Sequence, residues 1–189
     1  MTSSLLALFG WGIMTAIPVP GHWVLAVMNR LQPSAPHTWL ETYQETSEAI
    51  ADAANAAPLF EGADGPMRTA SVLLAIAFYE SKFYPNAVDR DGHAYGIFQI
   101  EAKTVPELTA NVLLVPREAA PVALNLIRTS LKICGKFPWS ERLGWYAAGG
   151  NGCKEGGRKV SRSRMFLSNK IMHDYPDEDL PLLPPMIVK

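Results

Sequence analysis

The chain has 189 residues, 48% of them hydrophobic and 19% charged, enough for one domain with a sizeable core and decorated ends. A formal net charge of −1 excludes the strong basic excess of a dedicated nucleic-acid binder. The two cysteines, Cys134 and Cys153, form no CxxC pair, and the four histidines are scattered, so neither a zinc site nor any other metal or cofactor is expected. The cysteines read either as one disulfide outside a reducing compartment or as two separate buried thiols.

Residues 4–31 are strongly apolar, carry no charge before Arg30, and are interrupted by Pro18, Pro20 and Gly21. The apolar run before Pro18 is shorter than the roughly 20 residues that span a bilayer. Open readings are a docking or membrane-associating segment, two short helices packed on the domain, or an unusual signal peptide. The expectation adopted is packing against the domain or a partner protein. Residues 1–37 are therefore taken as an apolar docking segment and linker, the linker marked by Pro33 and Pro36.

A helix is predicted over 38–57, with Leu40, Tyr43, Ser47 and Ile50 at helical spacing and Thr38 as a cap with Glu41 three residues on. After a turn at 61–66, residues 67–84 read as a helix apolar on nearly all sides, hence buried, stopped by Pro85. Residues 86–100 are turn-rich and end in Tyr-Gly-Ile-Phe-Gln-Ile, which suits a small hairpin. Further helices are predicted over 116–133, 139–147 and 162–173, the second ending at the glycine-rich loop 149–152. Lys154, Arg158, Lys159, Arg162 and Arg164 form a basic cluster, read either as a surface attracted to an anionic polymer or as a solvated face. Residues 174–189 are acidic, then proline-rich, and read as an extended tail.

Chemistry is concentrated between Ala75 and Thr104. Glu80 ends the long apolar helix, where desolvation disfavours its charged form and suits it to donate a proton near neutral pH. Ser81 can hydrogen-bond at the helix end, Phe83 can pack beneath it, and Gln99 offers an amide to a sugar hydroxyl or N-acetyl group. Asp89 and Asp91 fit turn chemistry as well as a second acidic role.

The run Glu80-Ser81-x-Phe83-x-Pro85-x-Ala87, followed by Ala94, Gly96 and Gln99, resembles the lytic transglycosylase and goose-type lysozyme pattern. Ile97 and Phe98 stand in place of Leu and Met, and the spacing from Glu80 to Gln99 is about one residue longer than in common soluble members. A second block, Tyr146-Ala147-Ala148-Gly149, resembles Tyr-Asn-Ala-Gly with Ala147 replacing Asn and a longer glycine loop after it. The resemblance covers Thr38 to Ser168. It implies a mainly α, lysozyme-like α+β fold, with a small hairpin beside the catalytic helix and a catalytic domain over 38–173.

The resemblance also implies the chemistry. Glu80 is the catalytic acid and then base, with Ser81, Asp89, Gln99 and Tyr146 toward the substrate. The substrate is peptidoglycan, cut at the β-1,4 bond between N-acetylmuramic acid and N-acetylglucosamine with a 1,6-anhydro end left behind. Hydrolysis by a goose-type lysozyme is the alternative. The acid that precedes Tyr-Gly-Ile in animal lysozymes is Ala94 here, whereas Asp89 or Glu101 can serve as a second carboxylate. A bridge between Cys134 and Cys153 would pin the loop bearing Tyr146. A non-catalytic structural virion protein with this fold is a further alternative. The expected setting is a phage virion, as a tail or internal protein acting in the bacterial periplasm, with protein partners at residues 1–31 and 174–189 and no nucleic acid. A bacterial periplasmic or membrane-associated enzyme is the other setting.

Overall fold

The computed structural model describes residues 16–84 and 86–175. The first fifteen residues of the expected docking segment, the tail from 176 onward and the helix-stopping role expected of Pro85 lie outside them. Seven α-helices in this region, α1 (Gly21–Leu31), α2 (Leu40–Ala56), α3 (Gly65–Ser81), α4 (Ala110–Leu113), α5 (Pro116–Ile133), α6 (Gly144–Ala148) and α7 (Glu155–Asp174), accompany a two-stranded antiparallel hairpin, β1 (Ala94–Tyr95) and β2 (Ile100–Glu101). This is the mainly α, lysozyme-like α+β fold expected from the sequence.

Helix α3 is the axis of the molecule. Val72, Leu73, Leu74, Ala75, Ile76 and Ala77 are all buried, so no face of its middle turns meets water. Helix α7 packs along α3, while α2 lies against both α3 and α5. Helix α2 buries Tyr43, Ser47, Ile50 and Ala54, the 4-3-4 spacing of one helical stripe. The expected Thr38 cap does not form. A 3-10 turn over His37–Trp39 carries helical geometry into α2, and Trp39 at its start has right-handed α angles with no side-chain cap. An extended N-cap residue is what a capping hydroxyl needs.

Helix α1 places Trp23, Val24, Val27 and Met28 in the same core and rests on α2. The Asn55 side chain holds Val19 from both sides, accepting from its N–H at 2.8 Å and donating to its carbonyl at 3.0 Å. Trp23 Nε1 donates to the Tyr175 carbonyl at 2.8 Å, tying α1 to the end of α7. Residues 19–28, expected within a docking segment, thus bury their apolar surface in this chain. Among the described residues no helix is long and apolar enough to cross a membrane.

Two helices differ from their predicted extents. The helix predicted over 139–147 is a 3-10 turn, Trp139–Glu141, followed by α6. Side chains take the backbone groups that a continuous helix would pair. Ser130 Oγ donates to the Arg142 carbonyl and accepts from Tyr146 N–H, and Ser161 Oγ accepts from Leu143 N–H. Helix α7 starts at Glu155, seven residues before its predicted start. Its two early glycines, Gly156 and Gly157, read as loop by propensity. Gly157 is instead required by packing, because a Cβ there would lie 2.2 Å from the Gly152 carbonyl oxygen.

A disulfide joins Cys134, at the end of α5, to Cys153, just before α7, with the Cα atoms 5.5 Å apart. It encloses α6 and Tyr146 within a segment fastened at both ends.

Candidate active site

Helix α3 ends where the site begins. Lys82 and Phe83 both adopt left-handed angles, φ 56° and 62°, so the chain turns sharply after Ser81, earlier than the predicted end at Tyr84. The reversal drives Phe83 into the core against Tyr43 and Phe78, with ring centroids 6.1 and 5.9 Å away. That buried ring is what holds a non-glycine residue in an otherwise unfavourable conformation. Glu80 is left on the last turn of α3, at the wall of a cleft.

The hairpin forms the opposing wall. Ala94 pairs with Glu101 and Tyr95 with Ile100. Gly96 (φ 74°) makes the turn possible, and a Cβ there would sit 2.1 Å from the Leu113 carbonyl oxygen. Ser81 ties the helix to the hairpin, its Oγ donating to the Ile97 carbonyl at 2.9 Å. Ser81 was expected to face the substrate; its hydroxyl is instead committed to this internal bond and does not border the cleft. Gln99 does border it, with Nε2 donating to the Gly96 and Ala87 carbonyls at 2.9 and 3.2 Å. Its side-chain carbonyl oxygen is the atom left for a ligand.

Tyr146 closes the floor from α6, its hydroxyl donating to the Phe98 carbonyl at 2.8 Å. Burial, then the negative charge of Glu80, push its phenol well above the ordinary range, so it is a neutral group. The cleft enclosed by these elements has a volume of about 290 Å³ and is also lined by Asp89, Glu101 and Trp145. Among the described residues no three His, Cys, Asp or Glu side chains gather as a metal site.

The carboxylates in the cleft differ in kind. The Glu80 side chain is only 19% exposed, and Arg164 Nη2 donates to its Oε1 at 2.6 Å. Desolvation raises the Glu80 pKa and outweighs the lowering by the Arg164 charge and hydrogen bond. Asp89 lies in the turn before the hairpin, where its Oδ1 accepts from the His93 and Ala94 N–H groups at 2.6 and 2.9 Å. These bonds, that of Ala94 foremost, hold its carboxyl below the usual range. Glu101 is exposed and paired with Lys103 at 2.7 Å. Asp91 is exposed at the turn and does not line the cleft. Only Glu80 among the cleft acids therefore has an environment that favours holding a proton.

Arg164 was read in the sequence as part of a basic surface cluster, and that expectation is corrected. Its side chain is 8% exposed and points at Glu80. Arg158 and Arg162 are engaged as well, both bridging Glu141 and Glu155 and so binding the 3-10 turn at Trp139 to α7. A signal for Arg164 existed. Gly157, Ser161, Arg164, Ser168 and Ile171 are the buried stripe of α7, at 4-3-4-3 spacing. It is hidden when the helix is taken to begin only at 162, which cuts Gly157 and Ser161 from the stripe and leaves Arg164 in the basic cluster.

Residues 58–166, more than half of the chain and including both Glu80 and Arg164, match the family model described as the transglycosylase SLT domain. Neither the curated proteins nor the solved structures gave a match.

Proposed function

The chain belongs to the transglycosylase SLT domain family, whose activity is peptidoglycan cleavage of the lytic transglycosylase type, and from that premise we propose how this cleft performs it. The bond cut is the β-1,4 link from N-acetylmuramic acid to N-acetylglucosamine. Glu80, whose desolvation favours its protonated form, gives its proton to the glycosidic oxygen as the C1–O bond breaks. The substrate's N-acetyl group shares the positive charge that develops at C1. The resulting Glu80 carboxylate then removes the proton of the C6 hydroxyl, whose oxygen closes onto C1. The product is a 1,6-anhydro ring, Glu80 regains its proton, and no water is consumed. Tyr146 and the Gln99 carbonyl oxygen face the sugar. Bacterial cell wall is the setting, and delivery there by a phage virion for local wall opening belongs to the same proposal, supported by the apolar residues 1–15 and the proline-rich tail.

The observation that carries this reading is the contrast among the cleft acids. Glu80 is desolvated, Asp89 is held as an anion by backbone N–H groups, and Glu101 is exposed beside Lys103. Hydrolysis has one observation in its favour, the position of Glu101 on the cleft wall, from which a carboxylate can activate a water. Glu101→Gln and Asp89→Asn separate the two mechanisms. Both variants are expected to stay within about tenfold of wild-type turnover, against the roughly 10²–10⁴-fold that loss of a general acid–base group costs. A loss at Glu101→Gln as deep as that at Glu80 would favour hydrolysis.

A further inference from the structure

The Glu80–Arg164 pair is asymmetric. A guanidinium and a carboxylate fully engaged with each other close two parallel N–H···O bonds. Here a single arm is used: Nη2 donates to Oε1 at 2.6 Å, Nη1 reaches only the Val160 carbonyl of its own helix at 3.4 Å, and the buried Nε has no partner. The guanidinium carbon also lies 5.7 Å from the centre of the Tyr79 ring, which limits its swing. Among the described residues no donor reaches Glu80 Oε2.

We infer that Arg164 is a positioning residue for Glu80: by occupying Oε1 it fixes the carboxyl plane and leaves Oε2 as the oxygen that carries and returns the proton. The inference rests on the acid–base role proposed for Glu80. A carboxyl free to rotate would present either oxygen to the glycosidic bond, and a misplacement near 1 Å costs about 10²-fold in rate. A cation at Oε1 also stabilises the carboxylate that must form between the two proton transfers, so Arg164 acts on both steps without touching substrate. Charges facing Glu80 from the other elements do not duplicate it. The cleft lining has no Lys or Arg, α6 presents the neutral Tyr146, and the turn and hairpin present the anions Asp89, with His93 beside it, and Glu101.

Two readouts test this on the full chain, the ¹³C-detected titration of the Glu80 carboxyl and the division of any rate loss between kcat and KM on purified peptidoglycan. Arg164→Met and Arg164→Gln remove the charge. Their Glu80 midpoint should move to higher pH, with kcat down about 10²-fold and KM nearly constant. Arg164→Lys keeps the charge on a shorter, non-planar donor. Its midpoint should stay near wild type, with kcat reduced about tenfold by the poorer alignment. A wild-type Glu80 midpoint in a folded charge-removing variant overturns the inference, whatever happens to the rate. Where neither of those variants folds, Arg164→Lys decides, and wild-type kcat in it overturns the inference. Failure of the acid–base role itself looks different: Glu80→Gln would then be as active as wild type, irrespective of any shift in midpoint.

Discussion

Glu80→Gln is expected to lower turnover on peptidoglycan by at least about 10³-fold while the protein remains folded, because it removes the desolvated cleft carboxyl proposed to give and then take the proton. Glutamine preserves the shape, and its side-chain oxygen can still accept from Arg164 Nη2, so the loss reports on the proton and not on packing. Stability supplies a second readout on the same variant. The Glu80 pKa is raised above its ordinary value of 4.5 by desolvation, with Arg164 opposing. A raised pKa means that folding favours the protonated form. Below the unfolded value both states carry the proton and no penalty arises. As pH rises through the folded value, the wild type must ionise a buried carboxyl and loses stability. Glutamine never ionises, so the melting temperature of Glu80→Gln minus that of wild type should grow from pH 4 to pH 7. A difference independent of pH, or a variant with wild-type turnover, would contradict the account.

The Cys134–Cys153 bond carries the second large effect. The two cysteines are 19 residues apart, and closing a loop of that size restricts the unfolded chain by about 3 kcal/mol. For a chain of this length the double variant Cys134→Ser/Cys153→Ser should melt lower by about 6–12 °C. The bond also fastens the segment that holds Tyr146, whose hydroxyl braces the hairpin through the Phe98 carbonyl. Turnover should therefore fall in the double variant even well below its melting temperature. Scanning calorimetry with and without reductant checks the first effect. An unchanged melting temperature after full reduction would show that the loop is held by packing alone. The glycines at 144, 152 and 157 are the packing in question, since their backbones meet too closely for a side chain.

Where the chemistry of a segment is local, it was legible in the sequence. The α5 boundaries, Pro116 to Ile133, coincide with the predicted 116–133, because a proline starts that helix and its apolar stripe is uninterrupted. The all-round apolar character of residues 72–77 identified the buried α3 with Glu80 at its end, and the Gly96 turn identified the hairpin. What failed depended on distant partners. Gly156 and Gly157 argue for a loop on propensity, and only the approach of Gly152 explains a glycine at 157 inside a helix. With the start of α7 misplaced, Arg164 fell among surface charges, although its partner lies 84 residues away in sequence. Ser81 was correctly placed at the helix end, yet its hydroxyl is directed by the Ile97 carbonyl, which the local sequence does not specify. The disulfide, one of two readings open on cysteine count alone, became concrete only when α5 and α7 brought the two residues together.

In the proposed mechanism one carboxyl, Glu80, completes the reaction with the substrate's own C6 hydroxyl in place of water. Mass spectrometry of the fragments that the wild-type protein releases from purified peptidoglycan tests this most directly. Chains ending in 1,6-anhydro-N-acetylmuramic acid are the expected product. Reducing ends, heavier by one water, as the dominant product would contradict it and assign the water-activating role to a second acid in the cleft.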